Sequence, residues 1–223
     1  MEPIKVFCYG DSNTYGYDPR TGFRLRSDER WTGLLQKKLG ADYEVIEQGC
    51  NGRTTVFPEP GSEWKSGLYA LKVCLNTYKP VEIMILMLGT NDLKVSYHAS
   101  PEAITDGAVT LIEEAQTFMK EKCGRAPVMI LVSPIELGEH IASGPFGYDF
   151  DRESVLKSRQ LAPLYEEAAR RLGCLFLNAA SYAKASEADS LHMMPGEHRK
   201  LADAMYRIVL EASSRLSSED LDR

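Results

Sequence analysis

The segments EIMILML (residues 82–88) and PVMILVS (residues 127–133) are almost entirely apolar. Strands of a parallel sheet that is covered by helices on both faces have this composition, because neither face of such a strand meets water. Three other segments also have the length and composition of strands: IKVFCY (4–9), YEVIEQ (43–48) and CLFLNA (174–179). The sequence therefore predicts five strands in a sheet with two covered faces.

Segments with helical periodicity separate these strands. Apolar residues recur at the i, i+3, i+4 spacing over residues 104–119 and again over residues 201–212. The segments WTGLLQKKLG (31–40) and PLYEEAARRLG (163–173) each end in glycine, a common residue just after a helix. The alternation of strands and helices predicts an α/β fold, in which helices wrap a parallel sheet.

The predicted domain organisation is simple. No linker, repeat or low-complexity segment interrupts the alternation, so residues 1–223 are predicted to form a single domain. Residues 136–151, which we name the flap segment, follow neither periodicity. A segment of this length without regular structure is typical of a functional or mobile loop, and we expect a flexible flap. A frayed tail is expected over residues 213–223.

Composition and charge exclude several classes of function. The chain has a net charge of −6 and no run of lysine or arginine, which argues against nucleic acid as its main partner. Its five cysteines form no CxxC motif, which is typical of free thiols in a reducing compartment. The first residues show no secretory signal, and no segment approaches the ~18 apolar residues of a membrane span. We therefore expect a cytoplasmic protein that does not insert into membranes.

The residues that follow the predicted strands are the candidates for a site, because ligands of open parallel sheets bind beyond the carboxyl ends of the strands. Ser12 follows the first strand, Gly52 the second and Asn91 the third. Asp189 and His192 follow the fifth strand, ahead of the last helix. The predicted fold thus brings a hydroxyl, a glycine amide, a carboxamide and an acid–imidazole pair to one edge of the sheet.

Acyl transfer requires these groups. A serine hydroxyl is a weak nucleophile unless a base takes its proton, and His192 can act as that base for Ser12. Asp189 can orient the imidazole of His192 and stabilise its charged form. The main-chain N–H groups of Ser12 and Gly52 and the side-chain amide of Asn91 can form an oxyanion hole. We predict Ser12, Asp189 and His192 as catalytic residues, and Ser12, Gly52 and Asn91 as oxyanion donors.

The same residues carry a family resemblance. Gly-Asp-Ser in GDSNTYG (10–16), Gly52, GTND (89–92) and DSLH (189–192) resemble the four blocks of the SGNH (GDSL-type) hydrolases, in the same order. The stretches RWTGLL, EVIEQG, RTT and MLGTNDLK are similar to the bacterial arylesterase/acyltransferase branch of that family.

The resemblance implies a flavodoxin-like three-layer α/β/α sandwich with a five-stranded parallel sheet. It implies the catalytic and oxyanion residues already named, and it implies neither a metal nor an organic cofactor. Members of the branch often form compact homo-oligomers whose loops wall in the active site. We therefore expect a homo-oligomer, in which the flap segment has such a role.

Four further residues are candidates for the substrate pocket because they lie in or beside these blocks: Asp11, Trp31, Arg53 and Met193. Asp11 also suits a role within the turn, where its carboxylate can accept from the main chain. Arg53 either steadies the loop after Gly52 or contacts a polar substrate. Met193 either lines the pocket or fills a gap in the core.

The predicted function is that of a serine esterase. It acts on short-chain acetyl and aryl esters through an acyl-enzyme, and an alcohol that intercepts the acyl group would give acyl transfer. The same site would also suit acetylated sugars, lysophospholipids or thioesters. Two other classes stay open: a degenerate hydrolase that acts as a binding or scaffold protein, and a phosphatase with Asp11 as its nucleophile. The phosphatase would need a second acid where Asn13 stands.

Overall fold

The computed structural model describes residues 2–221, with side chains described for residues 2–216. Among these residues, five parallel strands form one sheet with the order β2-β1-β3-β4-β5. Each strand begins and ends within one residue of its predicted position. The strands are β1 (Ile4–Gly10), β2 (Tyr43–Gly49), β3 (Ile83–Met87), β4 (Val128–Ser133) and β5 (Leu175–Asn178).

Helices connect consecutive strands. The α-helices within the described residues are α1 (Ser12–Tyr15), α2 (Trp31–Leu39), α3 (Gly67–Tyr78), α4 (Pro101–Cys123), α5 (Arg152–Leu172) and α6 (Pro195–Leu221). Short 3₁₀ turns are found at Gly40–Asp42, Glu63–Lys65, Asn91–Leu93, Val95–Tyr97, Ile141–Ser143 and Ala179–Ser181.

Two apolar cores cover the two faces of the sheet. Successive side chains of a strand point to opposite faces, so Leu86 packs with α3, α4 and α5 whereas Ile85 packs with α2 and α6. Both residues are fully buried. Burial on both faces explains why β3 and β4 are apolar without alternation. This arrangement confirms the predicted flavodoxin-like three-layer α/β/α sandwich.

The strand order places a topological switch between β1 and β3. Strand β1 pairs with β2 on one side and with β3 on the other, so the chain builds the sheet outward in two directions. In doubly wound sheets, ligands bind in the crevice at the carboxyl ends of the strands at this switch. Ser12 follows β1 and Asn91 lies just after β3, so both belong to that crevice.

Helix α5 begins well before the segment that predicted it. The carboxylate of Asp151 accepts from the N–H of Ser154 at 2.8 Å, and the hydroxyl of Ser154 accepts from the N–H of Asp151 at 3.3 Å. This capping box starts the helix at Arg152. Pro163 lies inside the helix, where it removes one main-chain donor.

The flap segment, which was expected to be a flexible flap, packs against the rest of the molecule. Ile141 and Phe150 are buried in the core that includes α4 and α5. The N–H of Gly138 donates to the carbonyl of Ser190 at 2.8 Å, and the N–H of Val95 donates to the carbonyl of Asp149 at 2.8 Å. These contacts anchor both ends of the segment.

The C-terminal residues belong to the last helix. A frayed tail was expected over residues 213–223, and helix α6 continues to Leu221; residues 222–223 lie outside the described part of the chain. Of the helices described, none combines the length and the apolar character that a membrane span requires.

Candidate active site

The chain leaves β1 through a one-turn helix that presents Ser12. Asp11 caps this helix, because its Oδ1 accepts from the N–H of Asn13 at 2.9 Å. Burial raises the pKa of Asp11, and the hydrogen bond from the Asn13 N–H opposes that rise. Gly16 ends the helix with φ +86°, a left-handed conformation that suits glycine. The turn therefore holds Ser12 at the first helical position, directly beyond the sheet.

Ser12, His192 and Asp189 form one hydrogen-bonded chain. His192 Nε2 lies 2.9 Å from Ser12 Oγ, and His192 Nδ1 lies 2.6 Å from Asp189 Oδ2. All three side chains are buried, with at most 6% of each residue exposed. The carboxylate fixes the proton on Nδ1, which leaves Nε2 as an acceptor for the serine proton. The predicted catalytic residues are thus brought together in the geometry of a nucleophile and its base.

Asp189 is held in its ionised form by its own loop, which we name the base loop (residues 186–194). Its Oδ1 accepts from the N–H groups of His192 at 2.9 Å and Leu191 at 3.0 Å, and from the hydroxyl of Ser186 at 2.9 Å. Burial alone would raise the pKa of Asp189, but the hydrogen bonds from His192 and Leu191 hold it below its usual value. Ser186 was not predicted, because no motif marks it.

Two of the candidate oxyanion donors, Gly52 and Asn91, lie on loops that are hydrogen-bonded to each other, and the Gly52 loop is also bonded to the end of β1. Gly52 has φ +79°, and the N–H of Cys50 before it donates to the carbonyl of Gly10 at 3.1 Å. Asn91 is buried, and its Nδ2 donates to the carbonyl of Arg53 at 3.1 Å. Because a carboxamide nitrogen carries two hydrogens, this bond orients Asn91 and leaves one hydrogen for an oxyanion.

Asp92 links the Asn91 turn to the Gly52 loop through hydrogen bonds. Its carboxylate accepts from the N–H of Thr55 at 2.9 Å and also from the Thr55 hydroxyl. Burial raises the pKa of Asp92 to about 7, although the hydrogen bonds from Thr55 oppose that rise. Asp92 therefore fixes the loop that carries Gly52 relative to the turn that carries Asn91.

Two aromatic rings contact the imidazole of His192. The ring of Tyr17 lies 4.2 Å from it, centroid to centroid, at an interplanar angle of 34°. The ring of Phe146, in the flap segment, approaches edge-on at 5.4 Å. Tyr17 was not predicted, because its position in a loop carries no periodic signal. Within the described residues, no group of three His, Cys, Asp or Glu side chains is placed to hold a metal ion.

The structure corrects the expected pocket residues. Trp31 and Met193 are fully buried in the core that includes α2 and α6, so neither presents a surface to a substrate. Arg53 is also buried; its guanidinium donates to the carbonyls of Gly10 and Gln48 and lies 4.2 Å above the ring of Tyr9. Asp11 is the buried cap described above. These four side chains are therefore buried beneath the site, where they pack against or hydrogen-bond to its loops instead of lining a pocket.

Comparisons with known proteins agree with this geometry. The model of the GDSL-like lipase/acylhydrolase family matches residues 8–207. A native aryl esterase from M. smegmatis is 32% identical, with 94% of this chain and 99% of that chain covered and a TM-score of 0.87. Est24, a carbohydrate acetylesterase from Sinorhizobium meliloti, is 29% identical, with 93% and 99% covered and a TM-score of 0.87. A putative arylesterase from Agrobacterium tumefaciens is 31% identical, with 94% and 99% covered and a TM-score of 0.84. A comparison with curated proteins gave no match.

Proposed function

Because the chain belongs to the GDSL-like lipase/acylhydrolase family and is an ester-hydrolysing enzyme, we propose that it is a serine esterase for short-chain acetyl and aryl esters. The observation that carries this proposal is the hydrogen-bonded chain from Ser12 through His192 to Asp189, with contacts of 2.9 Å and 2.6 Å. A hydroxyl within hydrogen-bond reach of an imidazole that a carboxylate orients is the arrangement that activates a serine.

The proposed mechanism proceeds through an acyl-enzyme. His192 Nε2 takes the proton of Ser12 as Oγ attacks the ester carbonyl, and Asp189 stabilises the imidazolium that forms. The N–H groups of Ser12 and Gly52 and the free hydrogen on Asn91 Nδ2 donate to the oxyanion. The intermediate collapses when His192 returns the proton to the leaving alcohol. Water then attacks the acyl-enzyme, with His192 again acting as the base.

Acyl transfer to an alcohol belongs to the same proposal. Tyr17 and Phe146 cover the imidazole of His192 with aromatic surface, so the space beside the base favours apolar molecules over water. An alcohol that enters this space would attack the acyl-enzyme in place of water. The ratio of ester product to acid product in mixtures of water and alcohol measures this activity.

A carbohydrate acetylesterase is the second candidate, because two acetylesterases from Sinorhizobium meliloti have a similar structure. The side chain of Lys65 lies against Gly52: its Nζ would be 3.7 Å from a Cβ at that position. Lys65 pairs with Glu59 at 2.7 Å, and the neighbouring Trp64 is 52% exposed. Charged groups and an exposed aromatic ring beside an oxyanion donor suit a polar alcohol such as a sugar.

The state of the cysteines bears on the compartment in which the protein works. All five cysteines are free thiols, which supports a reducing cytoplasm.

A homo-oligomer is supported by the apolar side chains that α3 exposes, namely Leu68, Tyr69 and Val73. Light scattering coupled to gel filtration tests the oligomeric state.

The test of the proposed function is turnover of p-nitrophenyl acetate by the wild type and by Ser12→Ala. Removal of the nucleophile should lower kcat by about 10³–10⁶-fold, and a fluorophosphonate probe should label only the wild type. Ser133→Ala is the matched control, because Ser133 is a buried serine at the end of β4. Equal rates for wild type and Ser12→Ala would favour a binding protein.

A panel of acetyl, butyryl and octanoyl esters and acetylated sugars then separates the two candidate substrate classes.

A further inference from the structure

The residue after the nucleophile is a polar one in this chain. The GDSL motif that names the family has leucine at this position, whereas this chain has Asn13. Asn13 is only 3% exposed. A buried carboxamide needs hydrogen-bond partners, because an unpaired polar group is costly away from water. The partners of Asn13 therefore indicate what this side chain does.

The carboxamide of Asn13 binds the main chain on both sides of His192. Its Nδ2 donates to the carbonyl of Leu191 at 3.2 Å, and its Oδ1 accepts from the N–H of Met193 at 3.0 Å. One carboxamide supplies both the donor and the acceptor, which an aliphatic side chain cannot do. Leu191 and Met193 are themselves buried, so these main-chain groups depend on Asn13 for a partner.

The main chain of Asn13 is itself fixed in the molecule. Its N–H donates to Asp11 at 2.9 Å, and its carbonyl accepts from the indole N–H of Trp31 at 3.1 Å. The main-chain N–H of Trp31 donates to Nδ1 of His198 at 3.3 Å. Burial lowers the pKa of His198 to about 3, so this imidazole is a neutral acceptor. The main chain of Asn13 is thus held in place, so its side chain can hold the base loop in turn.

Contacts from outside the base loop set its position. The hydrogen bonds from Leu191, His192 and Ser186 to Asp189 lie within the loop, so they shape it but do not place it relative to Ser12. Gly138 of the flap segment holds the loop through the Ser190 carbonyl, and Asn13 is the contact that comes from the turn carrying Ser12. Ser190 has φ +59°, a left-handed conformation that is uncommon for a residue with a side chain. The loop therefore holds a sharp turn two residues before His192.

We propose that Asn13 is a positioning residue that fixes the base loop at the distance from Ser12 at which His192 accepts the serine proton. Asn13 binds both residues that flank His192, and it is covalently next to Ser12, so it couples the position of the base to that of the nucleophile. This inference rests on the proposed function, since it assigns Asn13 a role in the same reaction.

Asn13→Leu tests the inference, because it gives this chain the residue named in the family motif and removes both hydrogen bonds. We expect kcat for p-nitrophenyl acetate, per site titrated with a fluorophosphonate, to fall by about 10–100-fold. We expect kcat/KM to fall equally, because the lost contact acts on the transition state and not on substrate binding. Asn13→Asp is nearly isosteric and keeps the acceptor for Met193, but it replaces the donor to Leu191 by an oxygen that repels that carbonyl, so kcat should fall in this variant too.

Proton NMR supplies a readout that general instability would not reproduce. The Nδ1–H of His192, shared with Asp189 at 2.6 Å, should give a downfield resonance. Because the Asp189–His192 contact lies within the base loop, the resonance should persist in Asn13→Leu while kcat falls. Loss of the resonance together with kcat would show collapse of the loop and would overturn the positioning role.

Asn178→Leu is the matched control, because the Oδ1 of Asn178 also accepts from a main-chain N–H, that of Ala180 at 3.0 Å. It should keep wild-type kcat per titrated site, whatever its melting temperature. Wild-type kcat per site in Asn13→Leu would overturn the inference, even if that variant melts earlier. If Asn13→Leu does not fold, the same comparison with Asn13→Asp decides. A wild type that neither turns over esters nor reacts with the probe would instead refute the proposed function.

Discussion

Asp92 is a buried carboxyl whose protonation is linked to the stability of the fold. An aspartate of the unfolded chain titrates near pH 3.9, whereas burial raises the pKa of Asp92 to about 7 in the folded protein. Between about pH 4 and pH 7 the folded state therefore binds more protons than the unfolded state. The stability that this group contributes is fully present below pH 4 and is lost as the pH rises through 7.

Asp92→Asn should remove this pH dependence, because an amide does not titrate in this range. The cost of the substitution in free energy of unfolding should be larger at pH 5 than at pH 8, by at least about 1 kcal/mol. Urea unfolding of both proteins at the two pH values measures the difference. An equal cost at pH 5 and pH 8 would contradict the assignment of the raised pKa to Asp92.

Single residues of the site were predictable where their chemistry is distinctive. Ser12, Asn91, Asp189 and His192 could be proposed as a site because strand ends of a parallel sheet converge and because acyl transfer needs these groups. Trp31 could not be placed, because nearness to a motif in sequence does not specify the direction of a side chain. The two hydrogen bonds of Asn13 join residues far apart in sequence, which no local pattern reveals.

At the scale of elements, the flap segment and the base loop contact each other closely where Gly138 lies against Ser190. A Cβ on Gly138 would lie 2.7 Å from Cβ of Ser190 and 3.0 Å from its Cα. Such distances are below van der Waals contact, so a side chain at position 138 must shift the base loop, the flap segment or both. Since Ser190 is between Asp189 and His192, a shift of the base loop reaches the base directly.

Gly138→Ala should therefore lower kcat by about 10-fold or more, because small displacements of a catalytic group are costly. Gly196→Ala is the control: a Cβ there meets no atom within 4 Å, and the residue lies in the first turn of α6. Rates per titrated active site, measured beside melting temperatures, separate the two variants. A Gly138→Ala enzyme with wild-type kcat would show that the flap segment and the base loop move independently.

Most elements could be predicted because their patterns are continuous. Strands β3 and β4 are buried on both faces, so their sequences are apolar throughout. The start of α5 could not be predicted, because the capping box at Asp151 lies beside a proline-containing helix and follows an irregular segment. The packing of the flap segment depends on a few isolated apolar residues, such as Ile141, which form no period.

At the scale of the whole molecule, stability depends on two cores that share one sheet. Leu86 is fully buried in β3, between α-helical layers. Leu86→Ala should lower the free energy of unfolding by about 2–5 kcal/mol, because it removes apolar contacts and leaves a cavity. Leu210→Ala, at an exposed position of α6, should change it by about 0.5 kcal/mol or less. Urea denaturation measures both, and similar costs for the two variants would contradict this account of the core.

The hydrogen bond between Ser12 and His192 joins residues 180 positions apart in the chain. At synthesis rates of about 5–20 residues per second, the serine is translated roughly 10–40 s before the imidazole. The nascent polypeptide on the ribosome therefore carries an unactivated hydroxyl for most of its synthesis. A premature termination product that stops before residue 192 would lack the base, and we expect it to be inert toward esters.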